Sequence, residues 1–497
     1  MLYQSTRGFD KKVTGAEAIA YGLADDGGLF VPQFFPSLQP EMLLKLVDET
    51  YSKRAAYIIS LFIDDFDINE LNEYTSRAYS CDFDNAGVAP LYELDSNTRF
   101  LELWHGPTCA FKDMALQIMP ELLTASLKKT NETRSVCILV ATSGDTGKAA
   151  LEGFRDIPGT KIMVFYPRDG VSEVQKHQMI SQAGDNVGVT AIEGNFDDAQ
   201  RGVKEIFSDK TISDELNGSG YFLSSANSIN WGRLVPQVAY YISAYNDLLK
   251  QGCIKPGEKI NFCVPTGNFG NILAAYYAER MGLPVNKLIC ASNRNDVLTQ
   301  FIKTGVYDRN RPFYTTVSPS MDILVSSNLE RLLYELAGKD GTAVTSYMSS
   351  LSEKGKYSIS GRVSDELNRV FYSGSCSEED TMKTINGLYV NSGYLIDTHT
   401  AVAYKVLNDY RSETGDKSVS VVVSTASPYK FCESVLAALD IPVGSAGGVD
   451  LIDKLAEITG CEIPAPLLAL KTAAVRFNNS VSLTGMKKAV MDFVGKR

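Results

Sequence analysis

Histidine is scarce in this chain of 497 residues: only His105, His177 and His399 occur, far apart, so no zinc-ligand spacing exists and no metal site is expected. Long apolar runs are missing too. No segment reaches the length of a membrane span, and the opening MLYQSTRGFDKKV lacks the apolar stretch of a secretory leader, so a soluble, untargeted, cytoplasmic protein is expected. Positive charge is in deficit, with 48 Lys and Arg against 59 Asp and Glu for a net charge of −11. That balance argues against nucleic-acid and anionic-membrane partners, which need a broad cationic face. Any anionic ligand must then be held by a local pocket. The nine cysteines, from Cys81 to Cys461, are odd in number and include no Cys-x-x-Cys, so a reducing compartment fits better than a disulfide framework.

What remains is an average globular composition, 44% hydrophobic and 22% charged, and enough length for two or three compact units around a sizeable core. Residues 1–95 carry helical periodicity, seen in the spacing of Leu43, Leu46, Tyr51 and Ile58, and read as a helical N-terminal unit. From about residue 96 short β-branched runs lead into glycine-rich turns and then apolar-periodic segments, the pattern of a parallel sheet wound with helices. The clearest units are SVCILV–ATSGDTG–KAALEGF, KINFCV–PTGNFGN–ILAAYYAERM and SVSVVV–STASPYK–FCESVLAAL, with further strands at 161–167, 186–194 and 287–293. The division expected is a small α/β unit over 135–235 and a large one over 96–134 plus 236–497, with peripheral helices around 305–395. No repeat or long linker is evident.

Loops at the carboxyl ends of such strands converge on a ligand crevice. In HGPTCAFKDMALQIMP, Lys112 follows a Gly-Pro turn at the start of an apolar-periodic helix through Met114, Ala115, Ile118 and Met119, with Pro120 marking an early kink or end. Burial and a helix N-terminus turn a lysine into a nucleophile, whereas a solvated lysine beside Asp113 would do nothing. GNFGN, with Gly267, Asn268, Phe269 and Asn271, lies between a strand and a helix and presents N–H groups suited to a phosphate. The loop Thr142, Ser143, Gly144, Asp145, Thr146 superficially resembles a nucleotide P-loop, but only Asp145 and Thr146 separate Gly144 from Gly147, so ATP binding fails on spacing. Its hydroxyls suit a carboxylate instead. NSINWGR offers Asn227, Ser228 and Arg233, an arginine fork for a phosphate or the polar cap of a turn. Thr425, after the last strong strand, faces a heterocycle nitrogen or caps the next helix.

Taken in order, HGPTCAFKD, SGDTG, NSINWGR, GNFGN and STASPYKF resemble the motifs of the threonine synthases over most of the chain, and the helical N-terminal unit resembles the extra domain of their longer bacterial and fungal-type subgroup. The resemblance implies an α/β architecture of PLP fold type II (tryptophan-synthase-β-like), two doubly wound domains plus the helical one, and pyridoxal 5'-phosphate (PLP) as cofactor. By the same resemblance Lys112 carries the cofactor as a Schiff base and moves protons. Gly267, Asn268, Phe269 and Asn271 hold its phosphate, and Thr425 meets its ring nitrogen. The loop from Thr142 to Thr146 receives the substrate carboxylate, and Asn227, Ser228 and Arg233 the substrate phosphate. The implied activity converts O-phospho-L-homoserine and water to L-threonine and phosphate, a lyase reaction of threonine biosynthesis by a monomer or homodimer. One departure stands out. Many relatives of the fold carry asparagine where this chain has Asp145, so Asp145 is either protonated or does another job. Dehydration or β-replacement of serine-like substrates, and a catalytically silent regulatory member, are the rival readings.

Overall fold

The computed structural model describes residues 1–495 apart from positions 81, 169 and 445. Two sheets organise it. The larger has the strand order Phe371–Ser375, Val285–Ser292, Ile260–Pro265, Ser420–Ser424, Thr98–Glu102, Leu91–Glu93, all parallel except the last pair. The smaller is wholly parallel, in the order Ser480–Val481, Val187–Ile192, Thr160–Pro167, Ser135–Ala141, Tyr221–Ser224. Central strands such as Ile260–Pro265 and Ser420–Ser424 are buried at every position, which is why they read as unbroken apolar runs.

The chain moves outward through 260–265, 285–292 and 371–375, then returns to lay 420–424 between 260–265 and 98–102. That reversal is the switch point at which parallel sheets open a crevice beyond their carboxyl ends. The loops 266–271 and 425–430 leave the sheet there.

The helix Trp231–Lys250 is buried without a break from Trp231 to Asn246 and apolar on nearly every side, as a central helix must be. The N-terminal unit braces it. Tyr3 and Phe62 pack on Trp231 with ring centroids 5.1 and 5.7 Å away, and Asn230 Nδ2 donates to the Ile19 carbonyl at 3.0 Å. Leu43, Leu46, Tyr51 and Ile58 all lie in the core.

Three features differ from the sequence expectation. The N-terminal unit contains an antiparallel pair, Tyr3–Ser5 with Phe30–Pro32, besides its helices. The region 305–395 is not solely peripheral helix: Phe371–Ser375 is an edge strand of the larger sheet, and Val306–Asp308 pairs with Lys356–Ser358. The tail leaves the large unit altogether, since Ser480–Val481 extends the smaller sheet and the helix Met486–Gly495 packs under it, with Met486 and Val490 fully buried. No described helix is long and apolar enough to cross a membrane.

Candidate active site

Lys112 does not begin a long helix. It caps a single turn, Asp113–Leu116, after which the helix restarts as Met119–Lys129. Pro120 has no N–H for the Leu116 carbonyl, and that carbonyl presses instead on Gly153, where a Cβ would come within 2.1 Å. The approach to Lys112 is stitched to the larger sheet. Ala110 forms an antiparallel bridge with Ala426, and the Phe111 N–H donates to the Thr425 carbonyl at 2.8 Å. Phe111, the neighbour of Lys112, therefore sits opposite Thr425 in a fixed backbone register. Cys109, three residues earlier, is buried and held at φ 57°, a left-handed conformation that costs a non-glycine residue roughly 1–3 kcal/mol and clusters at functional sites.

Asp113 is not a solvated neighbour. Fully buried, it accepts the Thr108 hydroxyl at 2.6 Å and the Thr108 N–H at 2.8 Å, closing the turn that delivers Lys112. Burial raises its carboxyl to about 6. The Lys112 amine makes no hydrogen bond to a described residue, and its Nζ lies 3.7 Å from the centroid of the Phe111 ring. Desolvation lowers it to about 7; Asp145 opposes that shift, while Arg233 and Lys430 reinforce it. Near neutrality much of this amine is unprotonated, as a nucleophile requires.

The GNFGN loop leaves strand 260–265 and enters the helix Gly270–Met281. Gly267 admits no side chain, because a Cβ there would meet the Ser320 carbonyl at 2.6 Å, and Phe269 turns the chain at φ 63°. Asn271 is buried, its Oδ1 accepting the hydroxyls of Tyr240 and Tyr241 at 2.5 and 2.6 Å, which leaves Nδ2 buried without a partner. An orphaned donor in the first turn of a helix, beside free N–H groups, is fitted to a phosphate.

The NSINWGR segment abuts this cradle. Asn328 Nδ2 donates to Ser228 Oγ at 3.0 Å and to the Asn268 carbonyl at 3.2 Å, and Arg331 joins Asn328, the Ile229 carbonyl and the Phe30 carbonyl. Arg233 is 3% exposed and has no carboxylate partner among the described residues: Nη1 donates to the Ala226 carbonyl and Nε donates to nothing described. Burial lowers this guanidinium to about 10, so it stays cationic. Asn227 is half-buried at the mouth of the turn.

In the SGDTG loop, Thr142 accepts the N–H groups of Gly144 and Gly147 at 3.0 and 2.9 Å, so its hydroxyl shapes the loop rather than reaching outward. Ser143 and Thr146 are half-buried and make no side-chain hydrogen bond to a described residue. Gly144 adopts φ 138° against Gln175, whose amide a Cβ would meet at 2.6 Å. Lys430 and then Lys112 pull the Asp145 carboxyl down to about 2 against the opposing effect of burial, so it is ionised rather than protonated. Its Oδ1 accepts Lys430 Nζ at 2.7 Å and Gln175 Nε2 at 2.7 Å.

Lys430, Gln175, Asn328, Arg331 and the Tyr240–Tyr241 pair carry no motif signal of their own. Lys430 closes the STASPYK segment, and a lone lysine at the entry to an apolar helix was the one available hint. The donor set fits pyridoxal phosphate: an amine brought down to about 7 for its aldehyde, and the orphaned Asn271 donor beside the N–H groups of a helix start for its phosphate.

Comparison with known proteins agrees. Residues 2–79 match the family model described as threonine synthase N terminus, residues 87–426 the pyridoxal-phosphate dependent enzyme model, and residues 400–477 the threonine synthase C-terminal model. The chain is 42% identical to threonine synthase of Pseudomonas aeruginosa, covering 88% of this chain and 90% of that one. It is 44% identical to human threonine synthase-like 1 across 86% of this chain, and spans 58% of that longer relative. The structure of a PLP-bound threonine synthase from Brucella melitensis superposes with a TM-score of 0.88 at 36% identity, covering both chains fully. With threonine synthase N-terminal and C-terminal models matching on either side of a pyridoxal-phosphate dependent enzyme model, the chain belongs to the threonine synthase family of pyridoxal-phosphate-dependent enzymes, with fold type II architecture.

Proposed function

We propose that this protein is a threonine synthase, converting O-phospho-L-homoserine and water to L-threonine and phosphate. The observation that carries the substrate is Arg233, a buried guanidinium beside the Lys112 amine with no acidic partner among the described residues. A buried cation left uncompensated is costly, and the substrate's phosphate is the anion that would compensate it bidentately. Dehydration or β-replacement on a serine-like substrate brings no such anion.

Lys112 is the residue that would take the cofactor aldehyde and then shuttle protons at the substrate carbons from Nζ. Gly267, Asn268, Phe269 and Asn271 would hold the cofactor phosphate, and the Thr425 hydroxyl its ring nitrogen. Bound pyridoxal phosphate supplies the electron sink for charge developing beside the substrate amine. Ser143, Gly144 and Thr146 would take the substrate carboxylate on a loop that Thr142 rigidifies, while Asn227, Ser228 and Arg233 would grip the phosphate and retain it as it leaves. Asp145 is charged and already paired, so its role is with Lys430 rather than as a donor. Support for the cytoplasm is that the eight described cysteines are all free thiols.

Lys112→Ala tests the cofactor and Arg233→Ala the substrate. The first should abolish turnover and the visible absorbance together. The second should raise KM for O-phosphohomoserine by roughly tenfold to a hundredfold, the value of a charged hydrogen-bond pair. An unchanged KM would overturn the substrate assignment, and a yellow, active Lys112→Ala protein the cofactor assignment.

A further inference from the structure

The Asp145–Lys430 pair spans the two sheets. Asp145 starts the helix Asp145–Gly153 after the smaller sheet's strand Ser135–Ala141, whereas Lys430 follows the larger sheet's strand Ser420–Ser424. Lys430 is fully buried, and its Nζ also donates to the Thr108 carbonyl at 2.8 Å, inside the turn that delivers Lys112. Its own carbonyl accepts Ser172 Oγ at 2.8 Å from the smaller lobe. A buried ion pair is a poor stabiliser compared with apolar side chains of the same volume. This one has a better use.

The groups bearing on Lys112 are few. Asp145 draws a proton onto its amine; Arg233 on the central helix and Lys430 after the larger sheet oppose this. Asp113 is turned back onto Thr108, and the Cys109 thiol is pushed up by burial and stays neutral. The pair Lys148–Glu152, one turn along from Asp145, is internally balanced at 2.8 Å. Without Lys430, Asp145 would keep Gln175 as its hydrogen-bond donor but would have Lys112 as its cationic neighbour.

We propose that Lys430 is a positioning residue: by pairing with Asp145 across the two sheets it stops that carboxylate from claiming the Lys112 amine, and so keeps Lys112 a free nucleophile. The proposal rests on the cofactor reading above. It concerns the step in which Lys112 Nζ forms a C=N bond with the cofactor aldehyde and the aldehyde oxygen leaves as water.

The test is the pH dependence of pyridoxal phosphate capture by the full-length apoprotein, followed by stopped-flow absorbance in four proteins. Titrations of the cofactor itself are common to all four, so differences between midpoints report on Lys112. An opposite charge within a few ångströms moves a midpoint by about 1–3 units. Lys430→Met should raise the midpoint by one unit or more, slowing capture at pH 7 at least about fivefold; Asp145→Asn should lower it by a similar amount. The double variant should return close to wild type, a rescue that a purely structural role would not produce. If Lys430→Met does not fold, the direction of Asp145→Asn and the return in the double variant decide the matter. A wild-type midpoint near that of ordinary lysine, or midpoints that do not move in opposite directions, would overturn the proposal. Failure of the wild type to capture the cofactor at all would instead sink the cofactor reading.

Discussion

Asn271→Asp is the sharpest probe of the phosphate cradle, because it exchanges one atom. In the native chain two tyrosine hydroxyls fix the amide with its oxygen toward Tyr240 and Tyr241, leaving the NH₂ as an unmatched donor. An aspartate keeps the oxygen those hydroxyls need and replaces the donor with a second acceptor. Losing a hydrogen bond to a charged group costs about 1.5–3 kcal/mol. Placing a carboxylate against a phosphate at about 4 Å adds up to about 4 kcal/mol at an effective dielectric of 20. The cofactor affinity should therefore fall at least about a hundredfold at pH 8, at 1.4 kcal/mol per tenfold. A protonated aspartate regains a donor, so affinity in the variant should recover as pH falls, a dependence that the native amide lacks. The assay is titration of apoprotein with pyridoxal phosphate between pH 5.5 and 8.5, with melting temperature as the folding control. An Asn271→Asp protein that melts normally and binds within threefold of wild type at pH 8 would refute the cradle. Removing both hydroxyls in a Tyr240→Phe, Tyr241→Phe pair, which frees the amide to turn over, should cost less, about tenfold.

Other perturbations follow from the same bonds. Arg331→Met strips donors from the Phe30 and Ile229 carbonyls and from Asn328, and should cost about 3 kcal/mol or more in urea unfolding; a loss below 1 kcal/mol would contradict the bridging role. Glu335 is 8% exposed, and burial raises its carboxyl to about 7, only partly offset by Lys339 and Arg280. The folded state thus keeps a proton that the unfolded chain releases, and stability falls as pH rises from about 4.5 to 7. Glu335→Gln should remove that fall and stabilise the protein at pH 8 by up to about 3 kcal/mol, and equal pH slopes in the two proteins would exclude it. Asp145 has the opposite sign: its lowered carboxyl contributes about 2 kcal/mol above pH 4, and roughly half of that is gone by pH 3. Asp145→Asn should lack this acid-labile part in the same unfolding series.

Much of the fold is legible in the sequence wherever burial is complete. Strands 135–141, 260–265 and 420–424 are covered on both faces, so their residues have no polar alternation to obscure them. Strands at sheet edges are harder to read: Phe371–Ser375 contains two serines and a glycine, and Ser480–Val481 is too short to show any periodicity. The motif loops could be read because glycine and hydroxyl residues are imposed by backbone geometry at the switch point. Lys430 could not, since its meaning depends on a partner 285 positions away that only the packing of two lobes brings to 2.7 Å (430 minus 145). The state of Asp145 was undecidable for the same reason: one carboxylate is neutral or charged according to a cation that no local pattern reveals.

The tail that completes the smaller sheet also sets an order of events during synthesis. Lys161 Nζ donates to the Phe493 carbonyl at 3.0 Å, a contact 332 positions apart. At about 5–20 residues per second on the ribosome the first partner waits tens of seconds for the second. Throughout that interval Val187–Ile192 has no neighbour on its outer side, and an uncovered strand edge pairs readily with foreign chains. The nascent smaller lobe thus spends that interval with an open sheet edge of the kind a chaperone shields.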